Sequence, residues 1–239
     1  MVAAPPRIGF DRFIRSQWAH SALKVRAGMA SRDELLSLLD AEGMGPAAKK
    51  KTQTVLNRLW LEPLNSLIDF ADRGAAIYLS NPSTPSFPLS WGMAIATYPF
   101  FGKVSELVGR LTVLQGECAS SEIHRRMSEM YGEREGTYRM TNMVLQTQQD
   151  WGAIDRIGRG KRVIAKKAIS ISGDMLIQWV IEAALRYHRK PLQVSAIESL
   201  HALYPITLAD SVSYIASKSE RLILTSDGSG QQLVALHED

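Results

Sequence analysis

Asp155–Ser170 reads DRIGRGKRVIAKKAIS. Arg156, Arg159, Lys161, Arg162, Lys166 and Lys167 are gathered there around Gly158 and Gly160, offset only by Asp155. Ala153–Ile157 and Val163–Ile171 have the short, β-branched character of strands, so the stretch predicts a hairpin. The two glycines supply the positive φ angles of a tight turn and let backbone approach a ligand closely. Two readings compete. Lysine and arginine keep an exposed hairpin from pairing edge to edge with another chain. Alternatively, the same charges grip phosphates and release condensed counterions.

The residues upstream favour the second reading. KVSELVGRLTVLQG predicts an amphipathic helix with Val104, Leu107, Val108, Leu111 and Leu114 inward. SSEIHRRMSEMYG predicts a second helix, started at Ser120 or Ser121 and ended at Gly132. EREGTYRMTNMVLQTQQDWG predicts a third. Three helices followed by a hairpin with a basic tip is the order of a winged helix-turn-helix. On the third helix Arg139, Asn142, Gln146 and Gln149 follow steps of three, four and three, which puts them on one face. Met140, Val144 and Trp151 lie on another side, flanked by Tyr138 and Leu145. Arginine pairs with the O6 and N7 of guanine, and asparagine or glutamine with the N6 and N7 of adenine. Arg134 and Thr137, near the helix start, are expected to reach phosphate or the first base. Arg125 and Arg126 on the second helix add charge flanking the groove, while His124 reads as an ordinary surface or cap residue.

Outside this unit, residues 1–79 read as a helical N-terminal domain. Ser31 and Glu34 form a capping-box signature, and Pro46 suits the first turn of the following helix. That helix exposes Lys49, Lys50 and Lys51, a candidate second contact to a phosphate backbone. Residues 80–101 hold SNPSTPSFP, a proline-rich linker, and an apolar, buried helix over Leu89–Thr97. Residues 102–171 are the winged helix. Residues 172–239 read as a helical region with a terminal hairpin, RLILTSDGSGQQLVAL, turned at Asp-Gly. No internal repeat of fixed period is visible. The fold class expected is mainly α with small β-hairpins (α+β).

Composition narrows the function classes. The chain has 239 residues, a net charge of +4 and a pI near 9.2, so the placement of charge matters more than its sum. A single cysteine, Cys118, excludes an intrachain disulfide and a Cys-rich zinc site, and suggests a reducing, cytoplasmic setting. The N-terminus lacks the apolar region of a signal peptide. The longest uncharged apolar run, Trp91–Gly102, is too short to span a bilayer. Neither a metal-ligand spacing nor a catalytic motif stands out, and TSDGSG at Thr225–Gly230 reads as a plain turn. A non-enzymatic protein without cofactors is expected.

The pair ELLSLL…KKKTQTVLNRLWL, the run AIATYPFF at Ala94–Phe101, and the winged-helix-like unit beyond them resemble the BrxA-like accessory proteins of bacterial phage-exclusion (BREX-type) systems. The resemblance covers about Ala30 to Ile171, and the chain past Ser172 extends beyond it. It implies a small helical DNA-binding protein working beside other proteins of a defence complex. The expected partner is double-stranded DNA. A protein–protein adaptor and a winged-helix transcriptional regulator are the alternatives, and the oligomeric state is left open.

Overall fold

The computed structural model describes residues 9–226, 228 and 230–237. It is mainly helical with three small sheets, as the sequence predicts. The N-terminal helices are α1 (Ser16–Arg26), α2 (Arg32–Ala41), α3 (Pro46–Leu56), which continues through a π turn at Asn57–Leu61, and α4 (Ile68–Ser80). The capping box of α2 is complete: Glu34 N donates to Ser31 Oγ at 3.2 Å, and Ser31 N to Glu34 Oε2 at 3.3 Å. The helix α1 was not read from the sequence. It buries only a narrow stripe of Trp18, Ala19, Ala22 and Leu23.

The proline-rich segment is a turn at residues 81–85, and Pro88 falls inside the first turn of α5 (Ser86–Thr97). A missing N–H breaks no helical bond there. Every side chain from Pro88 to Ile95 is buried.

The central unit runs α6 (Pro99–Gln115), β1 (Cys118–Ala119), α7 (Ser120–Tyr131), α8 (Glu135–Asp150), β2 (Ile154–Ile157) and β3 (Arg162–Ala165). Its sheet has the order β1-β3-β2, all antiparallel, with Cys118 opposite Val163 and Arg156 opposite Val163 from the other side. This helix–strand–helix–helix–strand–strand path is the winged helix-turn-helix topology. The strand read as Val163–Ile171 is in fact two. It breaks after Ala165, and β4 (Ile169–Ile171) leaves the hairpin to pair in parallel with β6 (Ile206–Leu208). Cys118 is a buried core residue, and burial pushes its thiol up to about 11.

The C-terminal stretch repeats the same path. It runs α9 (Asp174–His188), β5 (Leu192–Gln193), α10 (Val194–Glu198), a 3-10 turn at His201–Leu203, β6, α11 (Val212–Lys218), β7 (Leu222–Ser226) and β8 (Gln232–Leu236). Its sheet order, β5-β8-β7, matches β1-β3-β2 strand for strand. The chain therefore carries two units of winged-helix topology, with β6 inserted in the second. Part of the Asp-Gly turn read from the sequence lies outside the described residues.

Buried residues from all of these parts join one hydrophobic cluster. Trp179 of α9 fits a slot made by two glycines: a Cβ on Gly92 would stand 2.4 Å from its ring, and one on Gly74 2.9 Å. Its ring stacks on Phe70 at 4.2 Å, and its Nε1 donates to Phe70 O at 2.8 Å. Beside it, Glu182 is 2% exposed and accepts from both terminal nitrogens of Arg73, at 2.7 and 2.8 Å, and from Arg186 Nε at 2.8 Å. No helix among the described residues is long and apolar enough to cross a membrane.

Candidate nucleic-acid interface

The helix α8 is tied down at its C-terminal end. Ile14 N donates to Thr147 Oγ1 at 3.0 Å, Ser16 N to Asp150 Oδ1 at 2.6 Å, and Trp151 Nε1 to Ile14 O at 3.0 Å. In the same last turn Gln148, fully buried, donates to Ser105 Oγ at 2.9 Å and accepts from Tyr204 OH at 3.1 Å. The opposite face of α8 is thereby held outward, across from the β2–β3 turn.

The turn is anchored to the start of α7. Ser120 N donates to Lys161 O at 2.8 Å, and Ser120 Oγ donates to Gly160 O. Gly158, Arg159 and Gly160 have φ angles of 59°, 58° and 81°. Arg159 thus occupies a left-handed conformation that non-glycine residues rarely adopt. Gly160 lies close against Arg156, where a Cβ would stand 2.9 Å from Nη2, and its φ of 81° favours glycine.

Between α8 and the turn lies an open groove of about 930 Å³. Arg156, Arg159, Lys161 and Arg162 line it, with Asn142, Gln146 and Gln149 on the helical side, and no carboxylate lines it. Seven sequence-predicted residues are therefore brought together. Arg156 donates from Nη2 to Asn142 Oδ1 at 2.8 Å, and burial lowers the pKa of its guanidinium. Arg162 is partly offset by Glu117 at 3.0 Å. Arg159 and Lys161 are exposed and form no ion pair among the described residues.

Several expectations need correction. Arg139 is exposed but does not line the groove, whereas Tyr138, 59% exposed, does. Thr137 is fully buried and cannot reach a phosphate; its carbonyl accepts from Thr141 Oγ1, and Arg134 Nε lies 3.4 Å from its hydroxyl. Arg134 itself is exposed at the helix start. Asn142 Oδ1 accepts from Arg156 and so orients that cation, which leaves one lone pair of that oxygen for a base. The charge of Arg125 is taken up by Glu122 and Glu129, and that of Arg126 by Glu122. These two arginines hold the Glu122 carboxyl down to about 2. Lys166 lies 4.0 Å from Asp155, and Lys167, exposed, follows the end of β3 outside the groove. On α3 Lys49 pairs with Asp40, while Lys50 and Lys51 stay exposed, on a helix that packs mainly on α1 and the π turn.

Two groove residues escaped the sequence reading. His124 is not a surface or cap residue: it is 7% exposed and stacks on Tyr138 at 4.0 Å and 19°. Burial, and then the charge of Arg156, hold its imidazole down to about 4. Its Nδ1 and the Nε of Arg156 are buried without hydrogen-bond partners. The stack joins α7 to α8, and no local pattern announces it. No group of metal-ligating side chains occurs among the described residues. No protein-family model, no curated protein and no solved structure matches this chain.

Proposed function

We propose that the protein binds double-stranded DNA without acting as an enzyme, through the groove between α8 and the β2–β3 turn. The observation that carries this reading is the lining of that groove: four cations and a histidine, with no carboxylate, in a chain holding 24 acidic residues. The second unit offers an internal comparison. Between Leu222 and Leu236 its hairpin has no lysine or arginine. Keeping a hairpin of this fold from sticking therefore does not require cations, which weakens the bland account of the first one. A helix such as α8 fits a major groove about 12 Å wide, and the turn beside it would rest on the flanking phosphates. An accessory role beside other proteins of a phage-exclusion system is part of the proposal and rests on the sequence resemblance alone.

The adaptor reading is favoured by the second unit, whose hairpin and α11 expose the apolar Ile223 and Tyr214, with Lys218 the cation of α11. A salt titration separates the two. Four phosphate contacts give a slope of about −3.6 in log affinity against log salt, hence about 10²-fold weaker binding at 200 mM than at 50 mM. Fluorescence anisotropy of a labelled duplex reads this directly. A complex indifferent to salt, or no complex at either concentration, would leave the adaptor.

A further inference from the structure

Two of the buried, unpartnered nitrogens belong to residues that line the same groove: His124 Nδ1 on α7 and Arg156 Nε on β2. Buried polar atoms are nearly always paired, so two orphans on one groove call for a ligand. Both side chains are held in place. The Tyr138 ring clamps the imidazole, while Asn142 and the close approach of Gly160 fix the guanidinium. Arg156 has no carboxylate partner among the described residues. The hollow also reaches Ser121 in the first turn of α7, where helix N–H groups favour an anion.

We propose, building on the DNA-binding reading, that His124 and Arg156 form the seat of one backbone phosphate, and that His124 is protonated in the complex. Arg156 Nε–H and a protonated His124 Nδ1–H would each donate to a phosphate oxygen. A neutral imidazole donates there only as its Nδ1–H tautomer and brings no charge to the phosphate, whereas the protonated ring brings both the donor and the charge. In the free protein burial and Arg156 keep the imidazole uncharged. A phosphate beside it supplies the opposite charge, which favours the protonated form.

The groups around His124 come from four places: Tyr138 from α8, Arg156 from β2, Arg159, Lys161 and Arg162 from the turn and β3, and Arg125 and Glu129 from its own helix with Glu133 from the loop that follows. Arg125 and Glu129 neutralise each other. No charged group of α6 or β1 lines either hollow around the ring.

The complex then holds one more proton than its free components. Affinity rises as pH falls through the pKa of the bound imidazole and levels off near about 4, where the free imidazole also charges. The experiment titrates a random-sequence duplex with the full chain at constant ionic strength between pH 7.5 and 5.5. Wild type should bind at least about fivefold tighter at the lower pH, and His124→Gln should change by less than about twofold. In parallel, ¹⁵N signals of the wild-type imidazole report its protonation directly and require no variant.

A pH-independent wild type whose His124 stays neutral on the duplex overturns the seat and leaves DNA binding standing. If no duplex binds at any pH, the DNA reading fails instead, and inorganic phosphate becomes the probe. Protonation of His124 by inorganic phosphate alone would support the seat as one for free phosphate. A silent imidazole would overturn it.

Discussion

Replacing Arg156, Arg159 and Lys161 together by alanine is expected to weaken duplex binding at low salt by about 10³-fold or more. Each charge-assisted contact is worth about 1.5–3 kcal/mol, and three are removed. The salt slope should fall by about 2.7, to near −1, because three of the four groove cations no longer displace counterions. The loss should be similar on unrelated DNA sequences, since phosphate contacts carry no base information. Arg159 and Lys161 are exposed, and Arg156 bonds only to Asn142 among side chains, so the variant should retain its fold and circular dichroism spectrum. An unchanged affinity would reduce the hairpin to a solvated turn.

The second large effect concerns stability. Glu182 is buried between two guanidinium groups; Glu182→Ala leaves Arg186 without its anion and Arg73 with only the exposed Asp69. Breaking a buried pair from one side costs about 3–5 kcal/mol. Arg73 and Arg186 keep about a quarter of their side chains exposed, so water softens the loss to about 3 kcal/mol. For a chain of this length that lowers Tm by about 6–12 °C, readable by calorimetry. Arg73→Ala should cost less, because Arg186 remains on the carboxylate. Below the melting transition DNA affinity should not change, since the network lies where α9 meets α4, away from the groove. A Tm within about 2 °C of wild type would mean that this network does not hold the second unit in place.

Much of the winged unit was legible because its signals are local. Apolar spacing marks α6, α7 and α8, and glycine with β-branched flanks marks the hairpin. What was not legible depends on contacts between elements. A two-residue strand such as β1 has no pattern of its own and exists only through pairing with β3. The repeat in the second unit is one of topology, with little shared sequence to reveal it. The face of α8 was legible at Asn142, Gln146 and Gln149, and only its first position is off by one residue. Thr137, Thr141 and Gln148 are polar yet buried, satisfied by bonds inside the protein, so a rule that sends polar residues outward fails for them. Tyr138 takes the place expected for Arg139. The Asn142–Arg156 bond and the His124–Tyr138 stack join residues 14 apart in the chain, a separation that no helix or strand period encodes.

The most direct test of the proposed DNA site is a map of backbone amide shifts on adding a short duplex. The structure predicts perturbations concentrated in Tyr138–Gln149, Arg156–Arg162 and the first turn of α7, with α11 and the β7–β8 hairpin silent. Perturbations confined to the second unit, or to Lys50 and Lys51 on α3, would contradict that placement.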